Sequence, residues 1–99
     1  MISLTDVIAP APGVVSRLIE GEAVIVLPEQ GRTKVLNEVG SRIWALADGT
    51  RTLGAIVEII CQEYEVAPAQ AEADVLAFAE RLVREGVLVI PESSSVARR

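Results

Sequence analysis

Three short segments in the first half of the chain are rich in β-branched and other aliphatic residues, and turn-forming residues separate them. They are residues 14–20 (VVSRLIE), 22–27 (EAVIVL) and 32–36 (RTKVL). Gly21 separates the first two, and the sequence PEQG separates the second from the third. Glycine and proline are residues that tight turns favour. The pattern predicts three strands joined as an antiparallel meander. The second strand is almost entirely apolar, which indicates that it is central or well covered.

After the third strand the spacing of apolar residues becomes helical. Asn37 is a favourable N-cap, because its side chain can accept hydrogen bonds from the free amides of a first turn. A first helix is therefore predicted over residues 38–47, and Gly49 suits the left-handed position that follows a helix. Thr52 then caps a second helix over residues 53–64, whose apolar residues fall on one continuous stripe.

A third helix is predicted over residues 68–85, because Pro68 suits a first helical turn and Gly86 suits a helix end. Residues 87–90 (VLVI) form either a short closing strand or a plug in the core. A small sheet must bury one face, and the helices are its available cover. The predicted fold class is α+β, a three-stranded antiparallel sheet packed on a three-helix bundle in a winged helix-turn-helix-like arrangement.

The chain of 99 residues is long enough for one domain, since two cores would each be too small. Residues 14–90 are predicted to form that domain. Residues 1–13 contain the sequence APAPG and are expected to be an extended N-terminal lead-in. Residues 91–99 (PESSSVARR) are polar and are expected to be a disordered tail.

The third helix has more apolar surface than a helix with one buried face needs. One stripe consists of Val75, Phe78 and Leu82 and continues toward the start of the helix to Ala71. A second stripe, rotated from the first about the helix axis, consists of Leu76, Ala79 and Val83. Two interpretations follow. The helix is wedged between the sheet and the second helix and buried on two sides, or one stripe lines a groove that is open to a ligand.

The third strand makes the groove interpretation relevant. If this strand lies at the edge of the sheet, its free N–H and C=O groups can pair with an incoming peptide. Arg32 and Lys34 alternate with Thr33 and Val35, so one face of the strand is cationic. Charged residues on an edge strand are also a defence against aggregation, which is the alternative explanation.

Composition and charge argue against several classes of protein. The formal net charge is −5, with 14 acidic and 9 basic residues, whereas nucleic-acid-binding domains usually carry a clustered basic patch. There is no histidine, and the one cysteine, Cys61, lies on the second helix without a base to activate it. We therefore expect no catalytic residue, no metal site and no cofactor. The N-terminus has neither a signal peptide nor a membrane-spanning run, which is consistent with a cytoplasmic location.

The ordered set of these segments resembles a known family. The matching runs are GEAVIVLPEQGRTKVLNEVGSRIWALADGTRTLGAIVEIICQEYEV and ADVLAFAERLVREGVLV, which together span roughly residues 21–89. They resemble the PqqD-like family, whose members are also described as recognition elements of ribosomally synthesised, post-translationally modified peptide (RiPP) pathways. Within the runs, the strand that ends in Leu-Asn, the helix with Ile-Trp and the third helix that ends at Arg-Glu-Gly carry the likeness.

The resemblance implies a function and a site. Members of the family bind the leader segment of a precursor peptide, which adds as a strand beside the third strand and packs against the third helix. Carried over to this chain, the resemblance implies that the peptide-binding residues are Arg32, Thr33, Lys34, Val35, Leu36, Ala71, Val75, Phe78, Ala79 and Leu82. The expected partners are the precursor peptide and the enzymes that process it, with neither nucleic acid nor membrane.

Two subtypes of the family and two other classes remain as alternatives. One subtype is the standalone protein of lasso peptide pathways, which presents the precursor to a leader peptidase and a cyclase, and the segment NEVGSRIW favours it. The other subtype serves pyrroloquinoline quinone biosynthesis and presents its precursor to a radical SAM enzyme. A winged helix DNA-binding regulator fits the order of elements but not the charge. A small enzyme lacks a histidine and a paired nucleophile.

Overall fold

The computed structural model describes residues 2–27 and 30–91. In chain order, the elements are β1 (Ala9–Pro10), β2 (Val15–Ile19), β3 (Glu22–Leu27), β4 (Arg32–Val35), α1 (Glu38–Leu46), α2 (Leu53–Glu63), α3 (Pro68–Arg84) and β5 (Leu88–Val89). The predicted α+β fold class, the three-stranded antiparallel sheet and the three helices are confirmed.

The main sheet has the strand order β2-β3-β4, so the apolar strand β3 is its centre, as its composition indicated. Ala23, Ile25 and Leu27 are buried beneath the helices, while Val24 and Val26, which alternate with them, belong to the opposite face. The opposite face remains open to solvent, and Val26 is 36% exposed there. The sheet is therefore covered on one face only.

The turn between β2 and β3 contains two residues with positive φ, Glu20 at 51° and Gly21 at 84°. Positive φ at both central residues defines a type I′ turn, whose twist matches that of the two strands that it joins. The flanking residues Ile19 and Glu22 are cross-strand partners, as a two-residue hairpin requires. The register of β2 on β3 is consequently fixed by this turn.

The N-terminal segment, expected as an extended lead-in, packs against the helices and forms strand β1 within the described residues. Strand β1 pairs with β5, the short closing strand that was one of two possibilities for residues 87–90. Ile8 is fully buried, and its carbonyl oxygen accepts a hydrogen bond from Gly49 N–H at 2.9 Å. The carbonyl of Asp6 accepts from Leu53 N–H at 2.9 Å. The predicted C-terminal tail lies outside the described residues, apart from its first residue.

Helix α3 directs one apolar stripe into the centre of the core. Ala71, Val75, Ala79 and Leu82 are each at most 1% exposed. The residues of the second predicted stripe that flank this one, Leu76 and Val83, are partly buried and pack against the same core. Among the described residues, no helix is both long enough and apolar enough to cross a membrane.

Candidate functional site

Strand β4 is an edge of the main sheet, with β3 as its one strand neighbour among the described residues. Leu36 N–H donates to the carbonyl of Ala23 at 2.9 Å, so the main chain at position 36 faces β3. Main-chain groups alternate in direction along an antiparallel pair. The N–H and C=O groups of Thr33 and Val35 therefore point away from β3, toward the open side where another strand can pair.

The side chains of β4 alternate between the two faces of the sheet. Lys34 is the cross-strand partner of the buried Ile25, and Arg32 is the partner of the buried Leu27, so both basic residues lie on the helix side. Thr33 and Val35 lie on the outer face, where Val35 is 60% exposed. A strand added beside β4 would thus direct every second side chain toward the helices.

An ion pair connects β4 to the C-terminal end of α3. Lys34 Nζ lies 2.9 Å from Glu85 Oε1, and the two side chains are 18% and 27% exposed. The Lys34 ammonium beside it holds the pKa of Glu85 below its usual value, and the nearby positive charges of Arg81 and Arg32 act in the same direction. This end of the space between β4 and α3 is therefore rich in paired charge with a surplus of cations.

Phe78 marks the other end of that space. Its side chain is partly buried against the core. The ring lies so close to Gly40 that a Cβ added there would be 3.2 Å from Phe78 Cε2. The ring consequently packs over the first turn of α1. Phe78, Arg81 and Glu85 follow at intervals of three and four residues, so they form one stripe of α3 on the side that faces β4.

The joint between β4 and α1 is fixed by two side chains. Asn37 Oδ1 accepts from Gly40 N–H at 2.8 Å, which confirms the predicted N-cap. Ser41 is 5% exposed and joins two strands: its Oγ accepts from Ala23 N–H at 2.7 Å and donates to the carbonyl of Leu36 at 3.2 Å. The hydroxyl takes the place of a direct ladder hydrogen bond and holds the end of β4 against β3.

The structure separates the predicted site residues into two groups. The β4 set, Arg32 to Val35, lines the open edge, and Leu36 lies beside it but is 5% exposed. On α3, Phe78 retains exposed surface beside α1, whereas Ala71, Val75, Ala79 and Leu82 lie in the core and offer no surface to a ligand in this conformation. The peptide-binding role of the whole set stays a prediction.

Two residues at the end of α3 that the predicted set omits, Arg81 and Glu85, lie close to β4, and helical spacing was the only sequence signal for them. Arg81 and Glu85 follow Phe78 at helical spacing, but on sequence alone they form an ordinary i, i+4 pair of opposite charge. In the structure Arg81 Nε lies 3.9 Å from Glu85 Oε2, whereas Lys34 Nζ of β4 lies closer, 2.9 Å from Glu85 Oε1. Their position beside the open edge depends on how α3 packs against the sheet.

The chain is similar in sequence and fold to known proteins. A family model described as coenzyme PQQ synthesis protein D (PqqD) matches residues 22–88. A search of curated proteins found no match. One similar solved structure is described as TbiB1 in complex with the TbiA(beta) leader peptide; it is 34% identical, with a TM-score of 0.76, over 81% of this chain and 93% of that chain.

Two further solved structures are similar. The PqqD truncation of Methylobacterium extorquens PqqCD, described as a functional and stand-alone RiPP recognition element, is 33% identical over 90% of this chain and 95% of that chain, with a TM-score of 0.74. A lasso peptide synthetase B1 complexed with the leader peptide is 20% identical over 83% of this chain and 96% of that chain, with a TM-score of 0.77, and supports the fold alone. The family model covers more than half of the chain, and the chain therefore belongs to the PqqD family.

Proposed function

We propose that this protein binds the leader segment of a ribosomally made precursor peptide and presents the precursor to a leader peptidase and a cyclase of a lasso peptide pathway. The observation that carries the proposal is the open edge of β4, beside which Glu85 at the end of α3 pairs with Lys34. The similarity to TbiB1, described as a complex with a leader peptide, supports this assignment of the edge.

Binding by strand addition divides affinity and specificity between main chain and side chains. The outward N–H and C=O groups of Thr33 and Val35 supply hydrogen bonds and register. Side chains on one face of the leader enter the space between β4 and α3, where Phe78 provides apolar surface. Arg32 and Lys34 attract acidic leader residues, and this attraction weakens as salt rises.

We infer that the protein acts by binding alone, in the cytoplasm. The sequence has no histidine, the base that most often activates a cysteine nucleophile, with which Cys61 could form a pair. The description of the Methylobacterium extorquens relative as a stand-alone recognition element supports a role that is complete without catalysis. The chemistry is then performed by the enzymes to which the precursor is presented.

A second candidate is a chaperone that presents the pyrroloquinoline quinone precursor to a radical SAM enzyme. The match to the PqqD family model and the 33% identity to the Methylobacterium extorquens protein favour it. The identity to TbiB1 is 34%, which is nearly the same value, so sequence identity does not distinguish the two subtypes. The distinction therefore requires a measurement of ligand preference. The open reading frames beside the gene provide an independent check, since a cyclase indicates the lasso subtype and a radical SAM enzyme indicates the other.

The test is a titration of fluorescently labelled leader peptides, one from a lasso precursor and one from a pyrroloquinoline quinone precursor, followed by anisotropy. Proline at Val35 removes an N–H that points away from β3, so the sheet keeps its own hydrogen bonds while the added strand loses a partner. We expect Val35→Pro to weaken leader binding about tenfold, and Phe78→Ala to weaken it by a similar factor.

The matched control is Leu18→Pro, which places proline at the corresponding outward position of the opposite edge strand, β2. Circular dichroism melts verify that each variant is folded at the temperature of the titration. Unchanged leader affinity in Val35→Pro, or an equal loss in Leu18→Pro, would show that the leader does not pair with β4.

A further inference from the structure

Strand β2 is the second edge of the main sheet, and it is unusually exposed and apolar. Each of its five residues is exposed, and Leu18 at 72% is the most exposed large hydrophobic side chain among the described residues. Ile19 closes the two-residue hairpin with Glu22, so by alternation the main-chain groups of Leu18 and Ser16 point outward. Edge strands are usually protected by lysine, proline or a bulge, whereas β2 contains a single charged residue, Arg17.

A cleft runs between this edge and helix α1. Its larger part has a volume of about 850 Å³ and adjoins a second part of about 420 Å³, and Leu18, Ser41 and Ala45 line both parts. Trp44 Nε1–H donates to Ser16 Oγ at 3.1 Å and fixes β2 above the helix. The cleft lies on the opposite edge of the sheet from β4, and β2, which pairs with β3 alone among the described residues, forms one of its walls.

The hairpin end of the cleft is acidic. Glu20, Glu22 and Glu38 line it. Arg42 also lines it, but both of its guanidinium contacts, at 2.7 Å, go to the carboxylate of Glu63. This pairing leaves the three carboxylates as the dominant charge at this end. Here the pKa of Tyr64 is raised, first by desolvation and then by the negative charges of Glu38 and Glu63.

We propose that the cleft between β2 and α1 binds an extended segment of a partner protein in which a lysine or arginine flanks aliphatic residues on the same face of the strand. The segment adds to the free edge of β2. Its aliphatic side chains cover Leu18 and Ala45, and its basic side chain reaches the carboxylates of Glu20 and Glu38. Charge complementarity selects this occupant, since the acidic end disfavours an acidic peptide of the kind that the cations of β4 attract.

The observations on the cleft do not depend on the proposed function, which concerns the other edge of the sheet. The cleft adds a second binding surface to it. With both edges occupied, the sheet has five strands, in the order partner segment, β2, β3, β4 and leader. The two added strands lie on opposite edges of the sheet and do not compete for main-chain groups. One small domain then holds a precursor peptide and a partner protein at the same time.

The probe is a fluorescein-labelled heptapeptide, Thr-Ile-Thr-Ile-Thr-Lys-Thr, together with the reversed order Thr-Lys-Thr-Ile-Thr-Ile-Thr to cover both strand directions. Each places two isoleucines and a lysine on one face. We expect one of the two to bind, with an affinity that falls as salt rises. Replacing its lysine by glutamate is expected to weaken binding about tenfold. N-methylation of alternate residues along one peptide edge should abolish binding, while methylation along the other edge should preserve it.

Protein variants locate the binding. Leu18→Ser is expected to weaken the probe about tenfold and to leave leader affinity unchanged. The matched variant Val35→Ser, which removes an exposed aliphatic side chain from the other edge strand, should leave probe affinity unchanged. The proposal fails if neither heptapeptide binds, if the glutamate peptide binds as well as the lysine peptide, or if Val35→Ser is the variant that loses the probe.

A second copy of this chain is the competing occupant, because the basic strand β4 of one copy has the chemistry that the cleft selects. Sedimentation equilibrium of the unmodified protein separates the two cases. A mass that stays monomeric as concentration rises supports a different partner. A mass that grows with concentration in the wild type but not in Leu18→Ser assigns the cleft to self-association and overturns the proposal.

Discussion

The buried hydroxyl of Ser41 connects three elements, and its removal gives the most direct test of how the sheet is joined to α1. The hydroxyl accepts from Ala23 N–H of β3 and donates to the carbonyl of Leu36, just after β4. Ser41→Ala leaves the helix intact, because alanine has the highest helix propensity. The substitution therefore isolates the loss of two hydrogen bonds.

The magnitude follows from the burial of the two partners. Ala23 and Leu36 are 3% and 5% exposed, so water has little access to the groups that lose their partner. A buried donor or acceptor left unsatisfied costs about 1–3 kcal/mol. The N–H of Ala23 has the shorter contact, 2.7 Å against 3.2 Å, and is expected to account for most of the effect. We expect Ser41→Ala to lower the free energy of unfolding by about 2 kcal/mol, after allowance for a small gain in helix propensity.

The assay is urea unfolding at equilibrium, supported by a thermal melt. For a chain of this length, a loss of about 2 kcal/mol corresponds to a decrease of roughly 10 °C in Tm. Ser3→Ala is the matched control, since it removes the same hydroxyl from an exposed position and is expected to change stability by less than about 0.5 kcal/mol. A change in Ser41→Ala as small as that of the control would refute the reasoning, because it would mean that the hydroxyl is not the partner of these two groups.

Two further predictions concern the same region. Asn37→Ala removes the cap whose Oδ1 lies 2.8 Å from Gly40 N–H and should lower the free energy of unfolding by about 1 kcal/mol, whereas Asn37→Asp, which preserves the acceptor, should recover most of it in the same urea experiment. The pKa of Glu85 is depressed from its usual value of 4.5, chiefly by the neighbouring Lys34 ammonium, so the contribution of this ion pair to stability is present above pH 4.5 and is lost as pH falls through the lower folded-state value. The difference in unfolding free energy between wild type and Glu85→Gln should therefore shrink between about pH 6 and about pH 3, and a difference that stays constant over this range would contradict the pairing.

The local elements were predictable because their signals are local. Gly21, Asn37, Thr52 and Pro68 each mark a boundary through their own backbone or side-chain chemistry, and the strands and helices begin and end within a residue or two of the predicted positions. The N-terminal segment was harder to interpret. Its two residues of β1 carry no periodic pattern, and it is held by the burial of Ile8 and by hydrogen bonds to residues more than forty positions away.

The candidate site was only partly predictable for a related reason. The alternation of Arg32, Thr33, Lys34 and Val35 correctly identified a strand with one cationic face, and the structure places it at the sheet edge. On α3, the most apolar stripe was the natural choice for a binding face. In the structure most of that stripe is buried in the core, because burial of its aliphatic side chains stabilises the fold more than their exposure in a groove would.

The sequence by itself determined which segments are strands and helices, where they are capped, and that the chain contains no histidine. Those properties depend on neighbouring residues and on composition. Only the tertiary structure decided that β2 and β4 are both open edges, that Phe78 keeps exposed surface while Val75 is fully buried, and that Lys34 pairs with Glu85. These properties depend on the rotation of each helix about its axis and on strand order, which are set by how the apolar faces fit together and not by any one segment.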